Sequence, residues 1–227
     1  MRKFFLSILL LLLGCCTYSQ QLSQVTFSGG SKLSYISFIT DQNVLIRISE
    51  EGKILEWGIE VQADRYNYYA PKLQPYIGRI DYYGPEADSA FRGKVRSIGT
   101  CSFTYYGSYE TDTKIGKLKS VGRILIDYYT NYDNIHFRGR LKFIGSLMLE
   151  YYSSFDDEAF RGKLEAIGST AITYYSTFDD KLIKGKIKSI ATVPYVWYTS
   201  VDKLGYGGSL KSGSLRQNIS GVTYILQ

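Results

Sequence analysis

A pair of aromatic residues returns every 23 positions along this chain. Tyr-Tyr begins at Tyr82, Tyr105, Tyr128, Tyr151 and Tyr174, and Trp197-Tyr198 takes the sixth place. A fixed period of about 20 to 50 residues signals an array of small supersecondary units, each burying its apolar face against its neighbours. Clean copies of a Gly-cation-aliphatic segment open at Gly93, Gly116, Gly139, Gly162 and Gly185, and a worn copy opens at Gly208.

Within a copy, apolar and polar residues alternate. Phe160, Gly162, Leu164, Ala166, Gly168, Thr170, Ile172 and Tyr174 share one parity, and Arg161, Lys163 and Glu165 begin the other. A period of two means strand, and it predicts that each tyrosine pair places one ring on each side of a sheet. Asp156-Asp157 reads as the centre of a tight hairpin turn. That register sets Tyr151 opposite Gly162, Glu150 opposite Lys163 and Leu149 opposite Leu164. It likewise sets Tyr128 opposite Gly139, Tyr174 opposite Gly185 and Asp127 opposite Arg140. At Ile167-Gly168-Ser169 two readings stand: one strand of about 17 residues, or a second, three-residue turn that makes two strands per repeat. The usual strand length of about 5–6 residues favours the second.

The 22 tyrosines and only 4 prolines suit strands. No apolar stripe of helical period appears beyond the first 20 residues. The expected fold class is therefore all-β, with tandem 23-residue antiparallel β-hairpin repeats forming an extended or coiled meander sheet. Residues 1–19 read as a signal peptide, 20–51 as an N-terminal β cap, 52–204 as the repeats and 205–227 as a C-terminal capping repeat.

Arg2-Lys3 followed by Phe4 to Leu13 is a basic and then apolar leader, too short to span a membrane. Thr17-Tyr18-Ser19 before Gln20 suits ordinary signal peptidase, whereas Leu12-Leu13-Gly14-Cys15 resembles a lipobox that makes Cys15 a lipidation candidate. Either route exports the protein to the periplasm, the cell surface or the medium, with membrane attachment only through Cys15. Past the leader the one cysteine is Cys101, read as a small core residue, so no disulfide framework is expected. The net charge of +6 has its signs interspersed, which excludes a concentrated nucleic-acid footprint.

Two columns of repeated side chains are candidate sites. The second-position tyrosines Tyr106, Tyr129, Tyr152, Tyr175 and Tyr198, with Arg138 and Arg161, form a row suited to gripping an extended glycan or other polymer; the bland alternative packs the rings on lysine and arginine stems. The acidic column at Glu110, Asp133, Asp156, Asp179 and Asp202 offers oxygen ligands once per repeat, making Asp133, Asp156 and Asp179 weak calcium candidates against the simpler role of turn residues. The lone His136 has no triad or metal spacing, and no catalytic motif or cofactor signature is present, so the chain is read as a non-enzyme without cofactors.

Tyr174-Tyr175, Phe178-Asp179-Asp180 and Gly185-Lys186-Ile187 together resemble a loosened YD (RHS-type) repeat, with extra residues between the aspartate and the glycine. The tyrosine pair before a glycine-ended hairpin is similar to choline-binding cell-wall repeats, and the 23-residue period to MORN repeats. These resemblances imply architecture alone. Together with the leader and the absence of catalytic motifs, the expectation is an exported bacterial β-hairpin-repeat protein acting as a scaffold or binding module at the cell envelope. Its expected partners are a cell-wall glycan or an envelope protein, with edge-to-edge self-association as a further expectation. A small outer-membrane β-barrel is the alternative.

Overall fold

The computed structural model describes residues 21–61, 72–202 and 205–227. The expected leader, its cleavage positions and Cys15 lie outside these residues. The described residues form strands and turns and contain no helix, so the chain is all-β.

Seven strands build the cap sheet: β1 (Gln21–Ser28), β2 (Lys32–Ile39), β3 (Leu45–Ile48), β4 (Ile54–Glu60), β5 (Leu73–Gln74), β19 (Arg216–Ile219) and β20 (Val222–Leu226). Their order is β19-β20-β1-β2-β3-β4-β5, and the first and last described strands meet where β1 pairs parallel with β20. Glu60 on β4 accepts a hydrogen bond from Gln24 on β1 and pairs with Arg216 on β19 at 3.3 Å. In a flat sheet β4 and β19 would stand about 24 Å apart at the usual strand spacing, so this sheet is strongly curled.

The repeats form an eleven-stranded antiparallel meander. It runs through β6 (Ile80–Tyr82), β7 (Val95–Ile98), β8 (Cys101–Tyr105), β9 (Leu118–Val121), β10 (Ile124–Tyr128), β11 (Leu141–Ile144), β12 (Leu147–Tyr151), β13 (Leu164–Ile167), β14 (Thr170–Tyr174), β15 (Ile187–Ile190) and β16 (Val193–Pro194). A separate pair, β17 (Val196–Trp197) and β18 (Leu210–Ser212), follows. β4 and β5 are bonded into the cap sheet, so the meander starts at Ile80 although repeat-like sequence starts at Gly52. β6 and β16 are open edges, and the meander does not close into the barrel that the outer-membrane alternative requires.

Each repeat contributes two strands. The turn between them holds two residues, not three: Ile167 pairs with Thr170 across Gly168-Ser169. Gly168 takes a φ of +55°, which suits glycine at the first central position of such a turn.

The register expected around Asp156-Asp157 is corrected by the structure. Tyr151 lies opposite Leu164, Glu150 opposite Ala166 and Leu149 opposite Ile167. Tyr128 and Tyr174 lie opposite Leu141 and Ile187, and Asp127 opposite Phe143. The cause is the loop. Asp156 Oδ2 accepts the Ser153 N–H at 2.6 Å and its hydroxyl at 2.8 Å, and Asp157 Oδ1 accepts the Ala159 N–H at 2.8 Å. Two successive turns therefore form where a tight hairpin was expected. The loop closes at Gly162, whose N–H donates to Tyr152 O while the Tyr152 N–H donates to Lys163 O. With its φ of +74°, Gly162 is the first residue of a glycine bulge rather than a flat strand position covered by a tyrosine. The expected Glu150–Lys163 and Asp127–Arg140 pairs give way to Lys114–Asp127 and Arg140–Glu50.

One hydrophobic core joins both sheets. Val25, Phe27, Ile36, Phe38, Ile46 and Ile48 from the cap pack in the same cluster as Phe103, Leu118, Leu141, Leu164 and Ile187 from the meander. Cys101 belongs to it as a free, buried thiol whose pKa burial pushes up to about 12. Two cap hairpin tips also dock by their backbones: Leu141 N–H donates to Glu50 O at 2.9 Å, and Ile187 N–H donates to Gly30 O at 2.7 Å.

From Tyr105-Tyr106 to Tyr174-Tyr175 both tyrosines of each pair join this core, which overturns the expectation of one ring on each side there, while Tyr82 of the first pair stays exposed. First-position hydroxyls reach back ten residues, from Tyr105 to Val95 O, Tyr128 to Leu118 O and Tyr174 to Leu164 O, at 2.8–2.9 Å. Tyr151 is the exception; it is buried and its hydroxyl has no partner. Tyr174→Phe is expected to lower stability by about 1 kcal/mol, and Tyr151→Phe to be neutral or stabilising, because only the first removes a made hydrogen bond. Urea unfolding of the two variants checks the contrast, and equal losses would refute it.

Candidate functional site

The second-position tyrosines hold neighbouring repeats together. Tyr106 donates to Ile126 O, Tyr129 to Leu149 O, Tyr152 to Ile172 O and Tyr175 to Tyr195 O, at 2.8–3.1 Å. Their rings meet the first tyrosine of the next pair edge-on, as Tyr129 meets Tyr151 at 5.9 Å. Lys119, Lys142, Lys188 and Lys211 lie over the rings of Tyr106, Tyr129, Tyr175 and Tyr198. Burial pushes the hydroxyls of Tyr106, Tyr129 and Tyr152 up to about 12, which keeps them protonated donors at neutral pH. The row expected to face a ligand is thus placed inside the array's own bonding.

A different row faces solvent. Tyr109, Tyr132, Phe155, Phe178 and Val201 stand 23 residues apart at the loop tips, and each is between 92% and 101% exposed. Large apolar side chains of a monomer are seldom left so open in a contiguous line. Successive tips are about 10 Å apart, since each repeat adds two strands.

The loops fix this row. Asp157 accepts the N–H of Thr177 at 3.0 Å and its hydroxyl at 2.8 Å, and Thr177 immediately precedes Phe178. Asp88 holds Ser108 before Tyr109, Asp180 holds Ser200 before Val201, and Asn134 donates to Ser154 before Phe155. Thr111 occupies the corresponding place in the second repeat, and no such tie to Tyr132 is made among the described residues. Four of the five exposed side chains are therefore positioned by the repeat before.

The ties carry a pH dependence. The Ser200 hydroxyl and the Leu182 N–H hold the Asp180 carboxyl below its usual value. For Asp157, burial acts upward but is outweighed by the Ala159 and Thr177 N–H groups. A depressed carboxylate pKa means the ties are complete above the ordinary value of about 3.8 and are lost as the pH falls through the lower folded value. The loops are expected to keep their order at pH 4.5 and to loosen below pH 3.8. Amide exchange at Thr177 and Ser200 checks this, and loss of protection already at pH 5 would contradict it.

Arg138 and Arg161 are exposed, and Arg161 donates twice to Asp156 O beside Phe155, at 3.2 and 3.0 Å. The calcium candidates serve their own turns: Oδ2 of Asp133, Asp156 and Asp179 accepts from Thr130, Ser153 and Ser176. No cluster of three or more metal-binding side chains occurs among the described residues. His136 lies in a loop, its N–H donating to Asn134 Oδ1.

A second feature is a pocket of about 420 Å³ between the β3–β4 hairpin and the first two repeats, with Lys53, Trp57, Lys94, Tyr105 and Lys117 in its wall. Lys94 belongs to a ladder of cations. Lys94, Lys117, Arg140 and Lys163 donate to the carbonyls of Gly116, Gly139, Gly162 and Gly185, and lie 4.9–5.6 Å over Tyr105, Tyr128, Tyr151 and Tyr174. Burial pushes the pKa of Lys94 down, with the charge of Lys53 adding to it.

The fold and these two sites define an all-β protein of two large sheets and a separate strand pair, with a solvent-facing aromatic row. No protein family, curated protein or solved structure matches the chain.

Proposed function

We propose that this protein is an exported, non-catalytic binding module of the bacterial cell envelope that grips an extended β-linked glycan along the row Tyr109, Tyr132, Phe155, Phe178 and Val201. The observation that carries the reading is the row itself: large apolar side chains, fully exposed, registered loop to loop, with four rings in sequence. A ring face stacks on the apolar face of a sugar, and an extended β-linked chain offers like faces at a disaccharide spacing comparable to the interval between tips. The acidic column supports the reading too. Oδ1 of Asp133, Asp156 and Asp179 has no hydrogen-bond partner among the described residues, which leaves an acceptor for sugar hydroxyls beside each ring. Arg161 and Arg138 supply donors on the same loops. Export rests on the leader pattern in residues 2–13.

A row of apolar tips also suits insertion into a bilayer interface, and Val201 fits that use better than sugar stacking. The carboxylates flanking each ring oppose contact with an anionic membrane surface. The test is retention of residues 20–227 on insoluble β-1,4-linked glycans beside sedimentation with anionic lipid vesicles. Retention by glycan alone is expected, and sedimentation with vesicles alone would overturn the reading.

A further inference from the structure

The basic pocket matches two docking sockets for hairpin tips in this fold, and no tip among the described residues fills it. Two sockets are filled by the cap sheet. At Leu141, the main-chain N–H donates to Glu50 O, and the preceding cation, Arg140, pairs with the Glu50 carboxylate at 3.0 Å. At Ile187, the N–H donates to Gly30 O, and the preceding cation, Lys186, donates to Gly29 O at 3.0 Å. Each filled socket thus takes two oxygens of a peptide turn, one on a strand N–H and one on the cation just before it.

The filled positions are two repeats apart, and two repeats before Leu141 stands Val95. Its register is the same: Val95 lies opposite Tyr82 as Leu141 lies opposite Tyr128 and Ile187 opposite Tyr174. The preceding residue is again a cation, Lys94, and both line the pocket. Among the described residues the cap sheet supplies no third tip here. β5 is two residues long, and the chain leaves it for β6. In place of a tip there is an opening of about 420 Å³ with Lys53 and Lys117 beside Lys94 and the rings of Trp57 and Tyr105 in its wall.

We infer that this socket binds an acidic turn of a partner protein, of the Ser-Glu-Glu-Gly-Lys kind that the chain itself presents at Ser49 to Lys53. The turn's backbone carbonyl meets the Val95 N–H, which this register directs into the pocket, and its carboxylate meets Lys94 and Lys53. Three cations against the single carboxylate of Glu51 around one opening favour an anion over a neutral turn, and the aromatic walls desolvate the contact. The socket is independent of the aromatic row, so either assignment stands without the other.

The experiment is fluorescence anisotropy of a labelled, cyclised Ser-Glu-Glu-Gly-Lys peptide titrated with residues 20–227. Binding is expected to weaken with salt. Lys94→Glu and Lys53→Glu are each expected to weaken it about tenfold or more, as is glutamine at both glutamate positions of the peptide. Lys53 is exposed, so its variant reports on the socket even where Lys94→Glu fails to fold. Retention on glycan is expected to be unchanged by Lys53→Glu. Three results would each overturn the assignment: no binding of the acidic peptide, equal binding of its glutamine form, or saturable binding of oligogalacturonate in place of the peptide.

Discussion

Replacing Tyr132, Phe155 and Phe178 together by Ser lowers the affinity for a long β-linked glycan by roughly a hundred- to a thousandfold. The magnitude follows from burial of about 1–1.5 kcal/mol per stacked ring, summed over three rings on one rigid platform. The same change leaves stability within about 0.5 kcal/mol per site, because none of the three side chains packs against the core. A second signature separates a row from a single site. Affinity of the unchanged protein rises steeply with oligosaccharide length until the chain spans the five tips, about 40 Å, and then levels off. In the triple variant that length dependence flattens. Isothermal titration with an oligomer series reads both effects. A variant that binds as well as the parent, or a parent that binds a disaccharide as tightly as a long chain, would refute the row.

The tyrosines expected to do this work have the opposite job, and the reason is geometric. Strict alternation placed Tyr152 on an open polar face. The strand ends at Tyr151, however, and the glycine bulge at Gly162 and Lys163 turns the Tyr152 ring onto the next repeat. A bulge is invisible to a period-two pattern, because it shifts register without interrupting the alternation of residue types. The all-β class, the 23-residue period and the two strands per repeat were legible, since each rests on local residue choice. The turn at Gly168-Ser169 was legible as a turn, and its length was not.

The exposed row did leave a trace in the sequence. Phe155 sits in Ser153-Ser154-Phe155-Asp156-Asp157, and Phe178 in Ser176-Thr177-Phe178-Asp179-Asp180. An aromatic residue held at one place inside an otherwise polar turn, repeat after repeat, has no turn-forming reason to be there. The reading of Asp156-Asp157 as a tight hairpin absorbed Phe155 as a strand flank and hid that signal. The docking sockets left no trace at all. They depend on Glu50 meeting Arg140 and Gly30 meeting Trp197 across long stretches of chain, and one sequence carries no record of such pairings.

Those pairings make the second large effect a stability effect, at Gly30. This residue has a φ of +64° and lies flat against an indole: a Cβ placed on it would stand 1.9 Å from Cη2 of Trp197. Trp197 is itself buried and anchored, its Nε1–H donating to Ile187 O at 2.7 Å while Lys186 lies 4.4 Å over its ring. Gly30→Ala is therefore expected to destabilise by about 2–4 kcal/mol, combining left-handed backbone strain with overpacking. Trp197→Ala is expected to cost about 3–5 kcal/mol through lost burial and a cavity. The two losses do not add. Once the indole is gone, the new methyl enters vacated space and only the backbone strain remains, so Gly30→Ala in the Trp197→Ala background costs about 1 kcal/mol. Urea unfolding of the four proteins, followed by far-UV circular dichroism, closes the cycle. Additive losses would mean that the first hairpin tip is not seated on Trp197.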